Sequence, residues 1–177
     1  MKIAFVGKMR SGKDTAGNYI LSKSQWTKQL AFGDEIKELI KIYFPHLLEG
    51  GKKPRKLMQE VGQLFRKYDS DIWVKRLNRT YMNYKYQGYT DFIITDVRQQ
   101  NEVDFLKSQG FVIVLVETAE ELRLERIKAS GDSFSMEDLN HETELAVDTL
   151  PYDYLITNNT SIKDLTKQID FILQEEF

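Results

Sequence analysis

With 177 residues, 41% of them hydrophobic, and only 3 prolines, the chain can bury one substantial core but is too short for two ordinary enzyme domains and a linker. Its 0 cysteines exclude a disulfide framework and a thiolate metal centre, and no apolar run has membrane-spanning length or the pattern of a secretory signal, so a cytoplasmic location and no membrane partner are expected. The net charge of -2 conceals an asymmetry: residues 1–89 hold 18 Lys/Arg against 8 Asp/Glu, and residues 90–177 hold 7 against 19.

The first predicted element is a buried strand over 2–6, Lys2-Ile3-Ala4-Phe5-Val6. It runs into Gly7-Lys8-Met9-Arg10-Ser11-Gly12-Lys13-Asp14-Thr15 and then a helix over 13–22. A glycine-rich turn between strand and helix, ending in lysine, suits polyphosphate. Successive backbone N–H groups wrap the oxygens, the glycines permit close approach, and Lys13 places a cation beside the outer phosphates. The usual pattern ends Gly-Lys-Ser/Thr; here Asp14 intervenes and the hydroxyl is delayed to Thr15. The alternative is a turn that only joins strand to helix.

A short strand is expected at 29–32, then a helix over 34–43 with Ile36, Leu39, Ile40 and Tyr43 at helical spacing, stopped by Pro45. After a break at 49–54, helices are expected over 55–67 and 71–84, a central strand at 91–95, a helix at 99–109 and a strand at 111–116. Helices at 119–129 and 135–146 frame Ser130-Gly131-Asp132-Ser133, before a last strand at 154–157 and an amphipathic helix at 161–173. Alternating strands and helices predict an open α/β sheet, mostly parallel, in one domain spanning 1–177.

In such a sheet, ligands bind beyond the carboxyl ends of the strands, which is where Asp96-Val97-Arg98 falls. Asp96 can position Mg2+ or orient an acceptor oxygen, and Arg98 can hold phosphate with its planar fork; a helix cap and a structural ion pair are the alternatives. The basic first half suits a pocket for phosphates, a polynucleotide surface or a solvated face. Its densest run, Lys52-Lys53-Pro54-Arg55-Lys56, lacks interleaved aromatics, so a polymeric nucleic-acid partner is disfavoured.

These residues resemble the phage-type deoxynucleoside monophosphate kinases, within the nucleoside monophosphate kinase fold. The resemblance lies in Arg10-Ser11-Gly12-Lys13-Asp14-Thr15, Leu30-Ala31-Phe32-Gly33-Asp34-Glu35-Ile36-Lys37, Leu57-Met58-Gln59-Glu60-Val61-Gly62 with Asp71-Ile72-Trp73-Val74, Thr95-Asp96-Val97-Arg98 with Asn101-Glu102, His141 with Glu144, and Tyr152-Asp153-Tyr154-Leu155-Ile156. Together these segments cover nearly the whole chain. The resemblance implies a three-layer P-loop kinase fold with a small helical lid, the acceptor side at about 45–88 and the lid at about 119–146. It implies transfer of the terminal phosphoryl group of ATP to a deoxynucleoside monophosphate with Mg2+ as cofactor, and it is compatible with a homodimer.

On that reading, loop residues 7–15 hold ATP, with Lys13 stabilising the transferring charge. Asp14, Thr15 and Asp96 are the candidate metal ligands, and Asp14 could instead turn away to pair with a cation. Asp34 and Lys37, one helical turn apart, can both approach the acceptor or be a helix-start acid and a surface lysine; Arg66 is the preferred monophosphate clamp or part of a basic face, and Arg98 can also hold a substrate phosphate. Tyr68 and Trp73 can wall a base pocket or belong to the core. Arg123 and Arg126 can cover the transferring phosphate from the lid or pair with Glu120, Glu121 and Glu125. His141 and Glu144 can organise the lid or acceptor site or make a surface His-acid contact, while Asn158 can contact adenine or cap a turn. A kinase for another small phosphate-bearing metabolite would share the donor loop. A nucleotide-binding switch would bind ATP without phosphorylating an acceptor.

Overall fold

The computed structural model describes residues 1–51, 54–130 and 142–177. In chain order these form β1 (Lys2–Val6), α1 (Lys13–Leu21), β2 (Thr27–Leu30), α2 (Asp34–Tyr43), a 3-10 stretch at Pro45–Gly51, α3 (Arg55–Tyr68) and α4 (Ile72–Tyr86). There follow β3 (Asp91–Val97), α5 (Gln100–Ser108), β4 (Val112–Glu117), α6 (Glu120–Ala129), α7 (Glu142–Leu145), a 3-10 turn at Ala146–Thr149, β5 (Tyr154–Thr157) and α8 (Ile162–Glu176). His141, Lys52, Lys53 and the part of the expected 135–146 helix before Glu142 lie outside the described residues. Among the described residues no helix is long and apolar enough to cross a membrane.

The described strands form one sheet in the order β2-β3-β1-β4-β5, and every pairing is parallel. Helices cover both faces, so β1 is apolar at successive positions instead of alternating with polar residues. Ile3 and Phe5 pack with Ala16 and Ile20 of α1 and with Leu165, Ile169 and Ile172 of α8. Ala4 and Val6 point the other way, toward Ile36 and Ile40 of α2, Trp73, Leu77 and Tyr81 of α4, and Val103 and Leu106 of α5. The result is the three-layer architecture expected from the sequence.

The connection from β1 passes over β3 to reach β2 on one face of the sheet, and that from β3 passes over β1 to reach β4 on the other, so the two separate to opposite faces at the ends of β1 and β3. A crevice opens at their carboxyl ends, the usual ligand position in this architecture. A β-bulge sharpens it: Ala4 pairs with Ile94 but Val6 pairs with Val97, leaving one extra residue on β3. The bulge sends Thr95 to the α1 side and Asp96 to the β2–α2 junction. β3 therefore runs to Val97 and does not stop at Thr95. β2 ends at Leu30, two residues before its expected end, because Phe32 and Gly33 turn to meet Asp96.

Candidate functional site

The loop after β1 is built by close packing. A Cβ at Gly7 would lie 2.6 Å from the Val116 carbonyl, and one at Gly12, where φ is +107°, would lie 2.2 Å from Asn158 Nδ2. Arg10 also takes a positive φ, 62°. Neighbouring strand ends and α6 hold the loop by its carbonyls. Thr118 Oγ1 and Asn158 Nδ2 each donate to the Ser11 carbonyl at 2.8 Å, Arg123 Nη1 reaches the Met9 carbonyl at 3.4 Å, and Arg126 Nη1 reaches the Arg10 carbonyl at 3.3 Å. Arg126 Nη2 also donates to the Asn158 carbonyl at 2.9 Å. Anchoring the carbonyls from outside fixes the orientation of the intervening peptide units, the requirement for an amide-lined anion cradle.

Lys13, at the start of α1, is buried and donates its ammonium to the carbonyls of Gly7 at 2.6 Å and Lys8 at 2.8 Å. Burial pushes its pKa down to about 7; the nearby Arg98 pushes the same way, against Asp14 and Asp96. Glu144 closes this cluster. Its Oε2 accepts the Met9 backbone N–H at 2.7 Å, while Oε1 pairs with the Arg98 guanidinium. A carboxylate taken up jointly by a loop amide and an arginine shows that this corner accommodates an anionic oxygen. Burial also lowers the Arg98 pKa, with Asp96 and Glu102 opposing that shift.

Asp96 accepts the N–H groups of Phe32 at 3.0 Å and Gly33 at 2.9 Å, one with each oxygen. Burial raises its pKa, and these two donors partly offset the shift. It thus binds the start of α2, not the helix that follows it. Each oxygen takes one backbone amide and keeps lone-pair capacity beyond it. Thr95 Oγ1 donates to Asp14 Oδ1 at 2.8 Å and itself accepts from Gln29 Nε2 at 3.0 Å. Asp14 and Thr15 are exposed at the first turn of α1. No group of three or more His, Cys, Asp or Glu among the described residues is arranged to hold a metal by itself. Mg2+ keeps waters and substrate phosphates as most of its ligands and takes one or two oxygens from a protein.

The acceptor-side candidates divide. Asp34 and Lys37 pair at 2.8 Å, both exposed, beside the α2 start that Asp96 grips. Burial lowers the Lys37 pKa, but its Asp34 hydrogen bond and the charges of Asp34, Asp96 and Asp14 raise it overall. Arg66 is not presented as a free clamp: its Nη2 lies 3.3 Å from Glu102 Oε1. Trp73 is 3% exposed and donates Nε1–H to the Gly62 carbonyl at 3.1 Å, which makes it core and removes it from a base-pocket wall. Tyr68 is 81% exposed at the end of α3. The Asn158 amide holds the loop, and Asn159 Oδ1 accepts the Ala119 N–H at the start of α6, so this pair serves as loop anchor and helix cap. His141 lies outside the described residues.

Sequence reasoning passed over Thr95, Thr118 and Glu102 as site residues. Thr95 and Glu102 stood in the segments that carry the resemblance, but nothing in their spacing revealed their partners. Thr118, isolated after β4, carried no signal.

Residues 49–169 match the family model described as deoxynucleotide monophosphate kinase. A protein of Acanthamoeba polyphaga mimivirus, provisionally named a deoxynucleotide monophosphate kinase, is 25% identical over 194 residues, which cover 94% of this chain and 93% of that protein. The deoxynucleotide monophosphate kinase of Enterobacteria phage T4 is 26% identical over 160 residues, covering 85% of this chain but 61% of its own length. Among solved structures, TT1252 from Thermus thermophilus superposes with a TM-score of 0.64 at 18% identity, covering 100% of this chain and 98% of that one, a likeness of fold.

Proposed function

The chain belongs to the deoxynucleotide monophosphate kinases and phosphorylates deoxynucleoside monophosphates with ATP, and from that premise we propose how its own residues divide the work. The observation that carries the division is the meeting of the loop after β1 with Arg98 after β3, joined through Glu144.

The 7–15 loop binds the ATP phosphates through its backbone N–H groups, and Lys13 moves from the Gly7 and Lys8 carbonyls to the outer phosphates. Arg123 and Arg126, already on the Met9 and Arg10 carbonyls, hold the loop's shape and bring positive charge to its rim. Arg98 binds the acceptor's phosphate, and Asp34 with Lys37 borders the acceptor at the start of α2. Glu144 keeps Arg98 and the loop amide at Met9 in register. The P–O bond to the leaving ADP oxygen breaks as an acceptor phosphate oxygen bonds to the transferred phosphorus, so no covalent protein intermediate is required. When bound, Mg2+ neutralises charge shared by the phosphates; Asp14, fixed by Thr95, and the Thr15 hydroxyl are the residues that would hold it. Residues 45–88 form the acceptor side and 119–146 the lid side of one domain.

The test is a product screen with Mg-ATP and each common deoxyribonucleoside and ribonucleoside monophosphate. ADP formed together with a deoxynucleoside diphosphate is the expected result. Phosphorylation of only a different small phosphate ester would favour the metabolite-kinase alternative, and ATP binding without an acceptor product would favour a switch protein.

A further inference from the structure

Glu102 is a buried carboxylate, 3% exposed at its side chain, to which the division of labour above gives no task. Its Oε2 accepts the backbone N–H groups of Arg98 at 2.8 Å and Gln99 at 3.2 Å, while Oε1 faces Arg66 Nη2 at 3.3 Å. A glutamate near a helix start commonly reaches back to an exposed backbone amide. Glu102 departs from that ordinary cap in two respects. Its charge is held away from water, where burial pushes its pKa up to about 7, and it is matched by an arginine from α3, a helix remote in sequence.

The connectivity shows what that arrangement fixes. Arg98 is held at both ends: its backbone N–H by Glu102, its guanidinium by Glu144, whose other oxygen takes the loop amide of Met9. From Arg66 to Met9, a continuous line of charge-assisted contacts therefore joins α3, the end of β3, α7 and the phosphate loop. Arg55, at the opposite end of α3 from Arg66, lies within electrostatic reach of Arg98.

We propose that Glu102 is a positioning residue for the acceptor: it fixes the backbone from which Arg98 reaches the acceptor's phosphate and, through Arg66, fastens α3 to the same turn. Resting on the assignment of Arg98 to the acceptor, this gives Arg66 an indirect task, holding α3 to this turn instead of gripping phosphate. Arg98 carries a long side chain, so a small rotation at its backbone displaces the guanidinium fork by a distance that matters for bidentate recognition.

Steady-state kinetics with ATP and the deoxynucleoside monophosphate varied separately tests this in wild type, E102Q, R66M and R98M. Glutamine keeps an oxygen for the amides of residues 98 and 99 but removes the charge facing Arg66. E102Q and R66M should each raise KM for the deoxynucleotide about tenfold while KM for ATP stays within about twofold. A role confined to helix capping would lower thermal stability and leave both KM values at wild type, and that result overturns the proposal. R98M separates the two levels. Wild-type acceptor KM in R98M removes Arg98 from the acceptor site, whereas a raised KM in R98M with wild-type values in E102Q and R66M rejects the positioning role alone. If E102Q does not fold, R66M carries the same comparison with Glu102 intact.

Discussion

The carboxylate of Asp96 caps the backbone N–H of Gly33 at 2.9 Å, with its second oxygen on Phe32, so the end of β3 is fastened to the start of α2 by one charged side chain. Asn at position 96 retains one acceptor oxygen and turns an NH2 donor toward the other N–H, setting donor against donor. D96N should therefore lose about 1–3 kcal/mol of stability, with phosphoryl transfer falling in parallel as the crevice loosens. Urea unfolding and rapid-quench transfer rates on the same protein check this. Full stability combined with a collapsed transfer rate would return Asp96 to the chemistry.

Lys13 makes the opposite prediction. Its ammonium is buried and its pKa is already pushed down, so removing it relieves a desolvated charge while taking away the cation assigned to the transferring phosphate. K13A should remain folded by circular dichroism and transfer phosphate at least about a hundredfold more slowly. A well-folded K13A protein with near-normal transfer would remove Lys13 from the donor site.

Gly12 joins loop geometry to the anchor behind it. A methyl group there would both strain the backbone at φ +107° and displace the Asn158 amide from the Ser11 carbonyl. G12A should lose ATP binding and about 1–3 kcal/mol of stability. Adding N158A removes the steric clash but not the backbone strain, so ATP binding measured by calorimetry should stay impaired in the double variant. Full recovery there would show that the backbone conformation is dispensable.

Trp73 tests the boundary between core and pocket. W73F keeps the ring beside Phe65, which lies 5.4 Å away between centroids, but loses the hydrogen bond to the Gly62 carbonyl. It should cost about 1–3 kcal/mol in denaturant unfolding, with KM for the acceptor unchanged. A selective rise in acceptor KM at full stability would restore a base-stacking role.

The buried Glu102 carboxyl has a pH signature. Its pKa is raised from the usual carboxylate range to about 7, so between those values the folded protein binds a proton that the unfolded chain has released. Its contribution is fully present below the unfolded pKa and is lost as pH rises through about 7. Wild-type unfolding free energy should consequently fall more steeply from pH 5 to pH 8 than that of E102Q, which cannot ionise there. Parallel curves from chemical denaturation would show that Glu102 does not titrate in this window.

The sequence by itself determined most of the elements and the glycine-rich turn after β1. Ile3 to Val6 read as a buried strand, the glycines and Lys13 marked the turn into α1 as a candidate phosphate loop, and Ile36 and Ile40 at helical spacing marked the inner face of α2. These signals are local, since period and turn chemistry are set by neighbours along the chain. The sheet order, the bulge that turns Thr95 and Asp96 to opposite sides, and the partners of Asp14, Arg66, Trp73 and Asn158 were decided only by tertiary structure. The two amides that Asp96 receives cannot be read from the carboxylate in the sequence, because residues 32 and 33 arrive from another strand. Long-range packing likewise drew Arg66 to Glu102, because a buried charge requires an opposite charge from whichever element the fold brings beside it.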